Sequence, residues 1–458
     1  MTMTMTTLTT FHSTTFSVLF VVSFVVIRSV NGYNNGLGLT PPMGWNSWNK
    51  FACDIHEDLI IETAQAIVDL GLNKLGYRYI NLDDCWQLSR NSSGYIQEDF
   101  NKFPSGIRYL SDTIHTMVDN ENDDEHDSSS SSLLFGLYSS AGIYTCQRRP
   151  GSLNYEIQDS ISYIVEYNID YLKYDNCYSM GILPQIRYKK MHDALNSTGS
   201  TYSKAIFYSM CEWGNLNVAT WAQSIGNSWR TTGDINPTFT SIMTIADKNN
   251  KWHTYGGIGG WNDPDMLEIG NGRLTEGEEK IHFTLWCVMK SPLLLGMDVT
   301  SLDTNSTSFK IITNKELIDI NQDVLGIQGY KRTSIQNSNI DDVVDDAPDE
   351  LERDDNSLEV WAGPLVNDNI VVVLLNRSTQ PSNITAYWSD IGIVYNNTNM
   401  NVRDLWNHEE LGIYSSLITA YVESHDVVAL RLSPIEGKTS SSTSTSVTMT
   451  TTKQQLRK

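Results

Sequence analysis

The sequence predicts an α/β protein: a (β/α)8 TIM barrel followed by a C-terminal antiparallel β-sandwich. Three observations predict it. Between about Gly38 and Leu325, eight short apolar or β-branched runs alternate with helix-patterned stretches, over the length a β/α barrel needs. Polar and charged residues gather at the C-terminal ends of those runs, the end where such a barrel presents its reactive groups. Beyond Leu325 the pattern changes to short period-two strands with little helical signal.

The elements follow in order. Residues 1–32 read as a signal peptide: the apolar run from Phe16 to Ile27 is too short to span a bilayer comfortably, and Ser29-Val30-Asn31-Gly32 offers a cleavage site. Residues 33–328 form the barrel. Its strands are predicted at Met43–Trp48, Tyr79–Asp84, Leu133–Ser139, Tyr171–Cys177, Ala205–Trp213, Trp229–Ile235, Tyr255–Asp263 and Pro292–Asp298. Between the first two, Leu59, Ile60, Ala64, Ile67, Val68 and Leu72 recur at helical spacing, and Gly71 and Gly76 mark its end. A doubly wound open sheet is the competing fold, but no glycine-rich fingerprint follows the first strand. Residues 329–434 form the sandwich, with strands at Leu358–Leu365, Ile370–Asn376, Asn383–Trp388, Val402–Trp406, Leu417–Val422 and Val427–Leu432. Residues 435–458 are a Ser/Thr-rich disordered tail.

Charge and cysteine usage narrow the class. The formal charge of −22 is largely local, because 119–127 carries six acids and 341–355 carries nine against one arginine. Both read as solvated insertions, the first running into serines up to Ser132. Nothing resembles the basic footprint of a nucleic-acid partner. Six cysteines in 458 residues suit two or three local disulfides rather than a disulfide scaffold. Cys287, inside the apolar run Phe283–Met289, reads as a buried free thiol. Six N-x-Ser/Thr sequons, at Asn91, Asn196, Asn305, Asn376, Asn383 and Asn396, read as glycosylated surface loops on a secretory chain.

The stretch Tyr171-Leu172-Lys173-Tyr174-Asp175-Asn176-Cys177 carries the sharpest signal. A strand points Lys173, Asp175 and Cys177 to one side, and charge on an inward face is costly unless paired or used. A structural Lys–Asp pair and a reactive carboxylate are both consistent with it. Asp234, closing another predicted strand, supplies a second lone carboxylate. Two carboxylates flanking a sugar are the machinery of glycoside hydrolysis. On this reading Lys173 keeps Asp175 ionised as nucleophile, and a neighbouring carboxylate raises the pKa of Asp234 as proton donor. Asp83, Asp84, Lys173 and Arg230 suit sugar hydroxyls, and Trp48 and Tyr138 suit flat apolar walls. Asp83 and Asp84 can share a pocket only if their strand ends there. Trp45 and Trp86 read as core. Lacking a clustered Cys/His set, the acids give no metal signature, and no cofactor is expected.

Six blocks in order resemble the α-galactosidases of glycoside hydrolase family 27, the melibiases of plants and lower eukaryotes. They are Met43-Gly-Trp-Asn-Ser-Trp48, Leu82-Asp-Asp-Cys-Trp86, Tyr171–Cys177, Cys211-Glu-Trp213, Trp229-Arg-Thr-Thr-Gly-Asp-Ile235 and Gly259-Gly-Trp-Asn-Asp-Pro-Asp-Met266. The resemblance implies a metal-free retaining double displacement with Asp175 as nucleophile and Asp234 as acid/base. It implies sugar contacts at Trp48, Asp83, Asp84, Tyr138, Lys173, Glu212, Arg230 and Asp265, and disulfides Cys53–Cys85 and Cys146–Cys177. Cys211 has no matching partner, the animal counterpart falling near Gly226, and is expected to be free. The segment Glu212–Leu216 and the intact Asp83-Asp84 pair favour α-galactose over N-acetylgalactosamine or β-L-arabinopyranose. Ser140 and Ile258 depart from residues common in the family. The expected product is galactose released from oligosaccharides, glycoconjugates or polysaccharides. The expected partner is a carbohydrate, with no nucleic acid, no membrane anchor after cleavage, and a monomer or homodimer that is secreted or lysosomal/vacuolar. An α-N-acetylgalactosaminidase and an inactive galactose-binding relative are the alternatives.

Overall fold

The computed structural model describes residues 33–117, 132–336, 356–393 and 398–435. The signal-peptide reading, nearly all of the first acidic insertion, the whole of the second, the Asn396 sequon and the tail beyond Ile435 lie outside them.

Eight parallel strands form one sheet. They are β1 (Met43–Asn46), β2 (Tyr79–Leu82), β3 (Leu134–Ser140), β4 (Tyr171–Asp175), β5 (Phe207–Cys211), β6 (Ser228–Arg230), β7 (Trp261–Asp263) and β8 (Leu293–Leu295). Their spatial order is β8-β1-β2-β3-β4-β5-β6-β7. The ring closes just past β7, where Leu267 bridges in parallel to Leu295. The interleaved helices are α1 (Glu57–Asp69), α2 (Ile107–Thr116), α3 (Glu156–Ile161), α4 (Pro184–Tyr202), α5 (Phe239–Asn250), α6 (Glu276–Val288), α7 (Thr307–Ile312) and α8 (Lys315–Asn321). In place of a full helix after β5, Asn215–Thr220 and Ala222–Ser224 form 3-10 turns.

Local chemistry explains these elements. In α1, His56 caps the Leu59 amide, Glu57 and Asp58 occupy the first turn, and Ile60, Ala64, Ile67 and Val68 are buried along one stripe. Thr275 and Glu278 form a reciprocal capping box at the start of α6. Gly44 sits where β1 meets β2, and a Cβ there would lie 2.1 Å from the Tyr79 carbonyl oxygen. Only glycine permits that approach. Inside the barrel Tyr79, Tyr171 and Phe207 pack together, the last two stacked with ring centroids 5.0 Å apart. Period-two alternation then carries β4 from Tyr171 to Lys173 and Asp175 on the same inward side. The aromatic cluster is therefore the floor beneath the charged residues.

Every barrel strand was placed by the sequence pattern, but most are shorter. The sixth ends at Arg230, so Asp234 lies on a loop. The seventh begins only at Trp261, because the glycine-rich run 256–260 turns first. The fourth ends at Asp175, so Cys177 lies beyond it. A small hairpin of Gln87–Arg90 and Ile96–Glu98 had gone unread.

The C-terminal part has strands β9 (Tyr330–Gln336), β10 (Ser357–Pro364), β11 (Ile370–Asn376), β12 (Ser382–Tyr387), β13 (Asn399–Asp404), β14 (Glu409–Ser415), β15 (Leu417–Val422) and β16 (Asp426–Pro434). An antiparallel six-stranded sheet runs β9-β10-β11-β16-β13-β14, and β12 pairs β15. Sequence reading placed six of these strands and missed β9 and β14. The unbroken apolar run of β11 has a reason: both of its faces are covered. Val372 and Leu374 join the sandwich core, while Val371, Val373 and Leu375 join the barrel's cluster. At that junction Arg377 pairs with Asp247 of α5 at 2.8 Å and with Glu359 of β10 at 2.9 Å, and Lys331 contacts the same two acids. Trp45 and Trp86 are core residues, fully buried. No helix among the described residues is long and apolar enough to cross a membrane.

Candidate active site

A cavity of about 340 Å3 opens at the C-terminal end of the barrel. The predicted site residues come from the ends of several different strands. Asp83 and Asp84 follow directly on β2, which ends at Leu82, so both face the cavity as their adjacency required. Tyr138 lies within β3, Lys173 and Asp175 close β4, Arg230 closes β6, and Asp234 and Asp265 follow β6 and β7. Trp48 sits on a helical turn beyond β1. All nine line this one cavity.

Asp175 is buried. Its Oδ2 accepts a 2.7 Å hydrogen bond from the Tyr138 hydroxyl, and its Oδ1 accepts the Asn176 amide at 2.8 Å. Burial raises its pKa above the ordinary carboxylate value, with Lys173 and Tyr138 pulling against it. Lys173 makes its direct ion pair elsewhere, with Asp83 Oδ2 at 2.8 Å, and Asp83 also accepts from Asn46. Burial lowers the Lys173 pKa, but Asp83, Cys211 and Asp175 outweigh it and hold the ammonium charged. Burial raises Asp84 to about 6 even though its Oδ2 accepts the Gln147 amide at 2.9 Å. Arg230 Nη2 is shared between Asp265 at 2.9 Å and the exposed Asp234 at 3.0 Å. For Asp234 partial burial raises the pKa, but Arg230 and then Lys173 prevail and depress it.

Four expectations are corrected. In the substrate-free protein burial raises the Asp175 pKa and Arg230 depresses that of Asp234, the reverse of the reading in which lysine dominates one and a carboxylate the other. Tyr138 is a hydrogen-bond donor to Asp175 rather than only a flat wall. Glu212 does not join the cavity lining. It lies one residue past β5, fully buried, with Asn176 Nδ2 3.5 Å from its Oε1, and burial pushes its pKa to about 8 against the pull of Arg187. Cys211 and Trp213 take the wall instead, one on each side of it. Of the sequons, Asn376 is buried and spends its amide on the Gln380 and Val422 carbonyls, so it is no surface acceptor. Asn196 is half-buried within α4 and tied to Tyr33 and His192, whereas Asn91, Asn305 and Asn383 are exposed.

Cys53–Cys85 and Cys146–Cys177 are disulfides, and Cys211 and Cys287 are buried free thiols. The second disulfide pins the loop just beyond Asp175. Among the described residues, one group of ligand-type side chains draws together: Cys146, Asp175 and Cys177. Its two sulfurs are bonded to each other and unavailable as thiolates. Sequence reasoning also missed Asn49 and Glu268, paired at 2.7 Å on the cavity wall.

Comparison with known proteins decides the family. A family model described as "Alpha galactosidase A" (Melibiase_2) matches residues 40–323. This chain belongs to the melibiase family of glycoside hydrolases. A second model, the α-galactosidase C-terminal β-sandwich domain, matches residues 355–432. Alpha-galactosidase 2 of Arabidopsis thaliana is 45% identical over 86% of this chain and 89% of its own. The α-galactosidase of Cyamopsis tetragonoloba is 46% identical over 87% and 88%. The solved α-galactosidase of Saccharomyces cerevisiae superposes with a TM-score of 0.77 at 34% identity, covering 88% of this chain and 99% of that one. The melibiase barrel and sandwich are thus the fold expected from sequence.

Proposed function

We propose that this melibiase releases terminal non-reducing α-D-galactose with net retention. The observation that carries the reading is that Asp175, at the end of β4, and Asp234, on the loop after β6, line one polar cavity with the hydroxyl-binding groups Asp83, Asp84, Lys173, Arg230 and Asp265. In the first step Asp175 attacks the anomeric carbon while Asp234 protonates the departing glycosidic oxygen. The C–O bond to the leaving alcohol breaks as the bond to Asp175 forms. Water then enters, Asp234 takes its proton, and the galactosyl ester is cleaved to galactose. Tyr138 and the Asn176 amide orient Asp175, and the Cys146–Cys177 bridge fixes the loop that carries it. Curated relatives named α-galactosidase, and a yeast α-galactosidase solved with raffinose, support galactosides as the substrate class. We read residues 33–328 as the catalytic barrel and 329–434 as the sandwich, made in the secretory pathway and carrying glycans at Asn91, Asn305 and Asn383.

Asp175→Asn and Asp234→Asn should each lose nearly all turnover of a chromogenic α-galactoside while melting normally. NMR of early product should show the α anomer first. Substantial turnover by either folded variant, or initial β-galactose, overturns the assignment. The matching N-acetylgalactosaminide separates the alternative specificity.

A further inference from the structure

Two exposed tyrosines sit on the loops joined by the Cys146–Cys177 disulfide, outside the cavity lining itself. Tyr144 and Tyr178 are 47% and 40% exposed. They meet edge to face with centroids 5.7 Å apart. They come from the two loops that the Cys146–Cys177 disulfide ties together, and Cys146 itself lines the cavity. The Tyr178 carbonyl accepts the Ile143 amide at 3.2 Å, which locks the loops side by side. Arg148 Nε donates to the Tyr178 hydroxyl at 3.0 Å and fixes that ring. Within the same loops the Gln147 amide reaches Asp84 and Cys146 Sγ lies 3.3 Å from Asp175 Oδ2. The tyrosines are therefore at most two residues in sequence from groups that touch the reacting end of the site. Arg148, Tyr178 and Met180 all hold positive φ, at 60°, 49° and 53°. Such conformations are uncommon for bulky residues and are retained where surroundings enforce them.

We propose that Tyr144 and Tyr178 form a platform for the sugar residue to which the galactose is attached, a pyranosyl aglycone held outside the cavity. The proposal rests on the galactosidase reading above. A pyranose presents a flat C–H face that covers an aromatic ring, and a tyrosine adds a hydroxyl for its rim. The patch is small, and the Cys146–Cys177 disulfide and the Gln147–Asp84 hydrogen bond tie its loops to the cavity, so its occupant is the remainder of the substrate rather than a protein, whose interface needs far more area. It favours saccharide aglycones over small alcohols and makes substrate choice a property of the rim.

The experiment compares Tyr144→Ala, Tyr178→Ala and the double variant on two substrates. Methyl α-galactoside has an aglycone of one carbon, and an α-galactosyl mannotriose has a saccharide aglycone. The double variant should lose about ten-fold in kcat/KM on the oligosaccharide, equivalent to about 1.4 kcal/mol, chiefly through KM. On the methyl glycoside, and in inhibition by free galactose, it should stay within about two-fold. Equal losses on both substrates, or none on either, overturn the platform. If the wild-type protein hydrolyses neither substrate, the functional reading fails instead. Tyr144→Phe with Tyr178→Trp should retain the oligosaccharide preference, since the flat faces remain.

Discussion

Replacing Tyr138 by phenylalanine tests how Asp175 is held ready. The Tyr138 hydroxyl donates to Asp175 Oδ2 at 2.7 Å, and the ring is almost fully buried. Burial, then the Asp175 charge, hold the phenol's own pKa well above its ordinary value, so it remains a donor at every working pH. Phenylalanine keeps the ring and opens no cavity large enough to disturb the fold. A hydrogen bond to an ionised group contributes about 1.5–3 kcal/mol. One pKa unit corresponds to about 1.4 kcal/mol, so losing the bond raises the Asp175 pKa by roughly 1–2 units. The direction follows from the balance of forces: burial already favours the protonated acid, and the variant removes one of the groups opposing it. A nucleophile acts only when ionised. The acid limb of kcat/KM against pH should therefore move up by about 1–2 units, with activity on that limb falling roughly 10- to 100-fold. The assay is a chromogenic α-galactoside from pH 3 to 8, with the melting temperature as a folding control. An unmoved acid limb with kcat within two-fold of wild type would refute the role given to Tyr138.

Glu212→Gln should leave KM for a simple α-galactoside nearly unchanged, because the carboxyl is outside the cavity lining; a KM rise above ten-fold would restore it as a sugar contact. Arg377→Met should cost about 1–3 kcal/mol in denaturant unfolding, since the buried Glu359 at the barrel–sandwich junction loses its guanidinium and keeps only Lys331 and the Trp361 indole N–H; a cost below about 0.5 kcal/mol would show that Arg377 contributes little to the network. Thermal stability should peak near pH 4–5. Asp84 and Asp263 (each about 6) and Glu212 (about 8) keep protons in the folded protein that the unfolded chain releases near pH 4, so stability falls as pH rises from about 4 to 8. Glu316, held at about 2 chiefly by its hydrogen bond from Arg403, contributes above its ordinary pKa and fails toward pH 2. A melting temperature that climbs steadily from pH 5 to 8 would contradict this balance.

Much of the site was legible because barrel chemistry and strand period coincide. Lys173 and Asp175 share parity with the floor residue Tyr171, and their spacing alone placed both inward. Asp83 and Asp84 required a strand end, and β2 ends at Leu82. Glu212 shows where a motif overrode geometry. Alternation along Phe207–Cys211 turns Ser209 and Cys211 inward, opposite Lys173 and Asp175 in register, and so turns the next residue away. The strand period carried that answer, and the motif carried the other. The strands β9 and β14 escaped for a different reason. Tyr330–Gln336 mixes Lys331 and Arg332 into its alternation, and Glu409–Ser415 lies at a sheet edge with polar residues on both faces. Edge strands bury too little to print a period. Asn376 failed as a surface acceptor because a sequon records three residues and not the β11 face they occupy.

Burial and Arg230 set the two carboxylates apart: burial raises the Asp175 pKa, and Arg230 prevails over burial to depress that of Asp234. Arg230 has two acidic claimants through one nitrogen, the buried Asp265 and the exposed Asp234. Asp265 also accepts the Ile235 amide at 2.9 Å, which ties the loop bearing Asp234 to the same anchor. In the proposed reaction a sugar hydroxyl entering beside Arg230 competes with Asp234 for that nitrogen, since Asp265 is fixed from two directions. Loss of the guanidinium contact, with exclusion of water by the ring, removes what depresses the Asp234 pKa and leaves burial to raise it. Once its proton has left with the departing alcohol, Asp234 is ionised, and Arg230 and Lys173 favour that state for the base of the second step. In the proposed reaction, substrate binding acting through Arg230 thus switches Asp234 between acid and base.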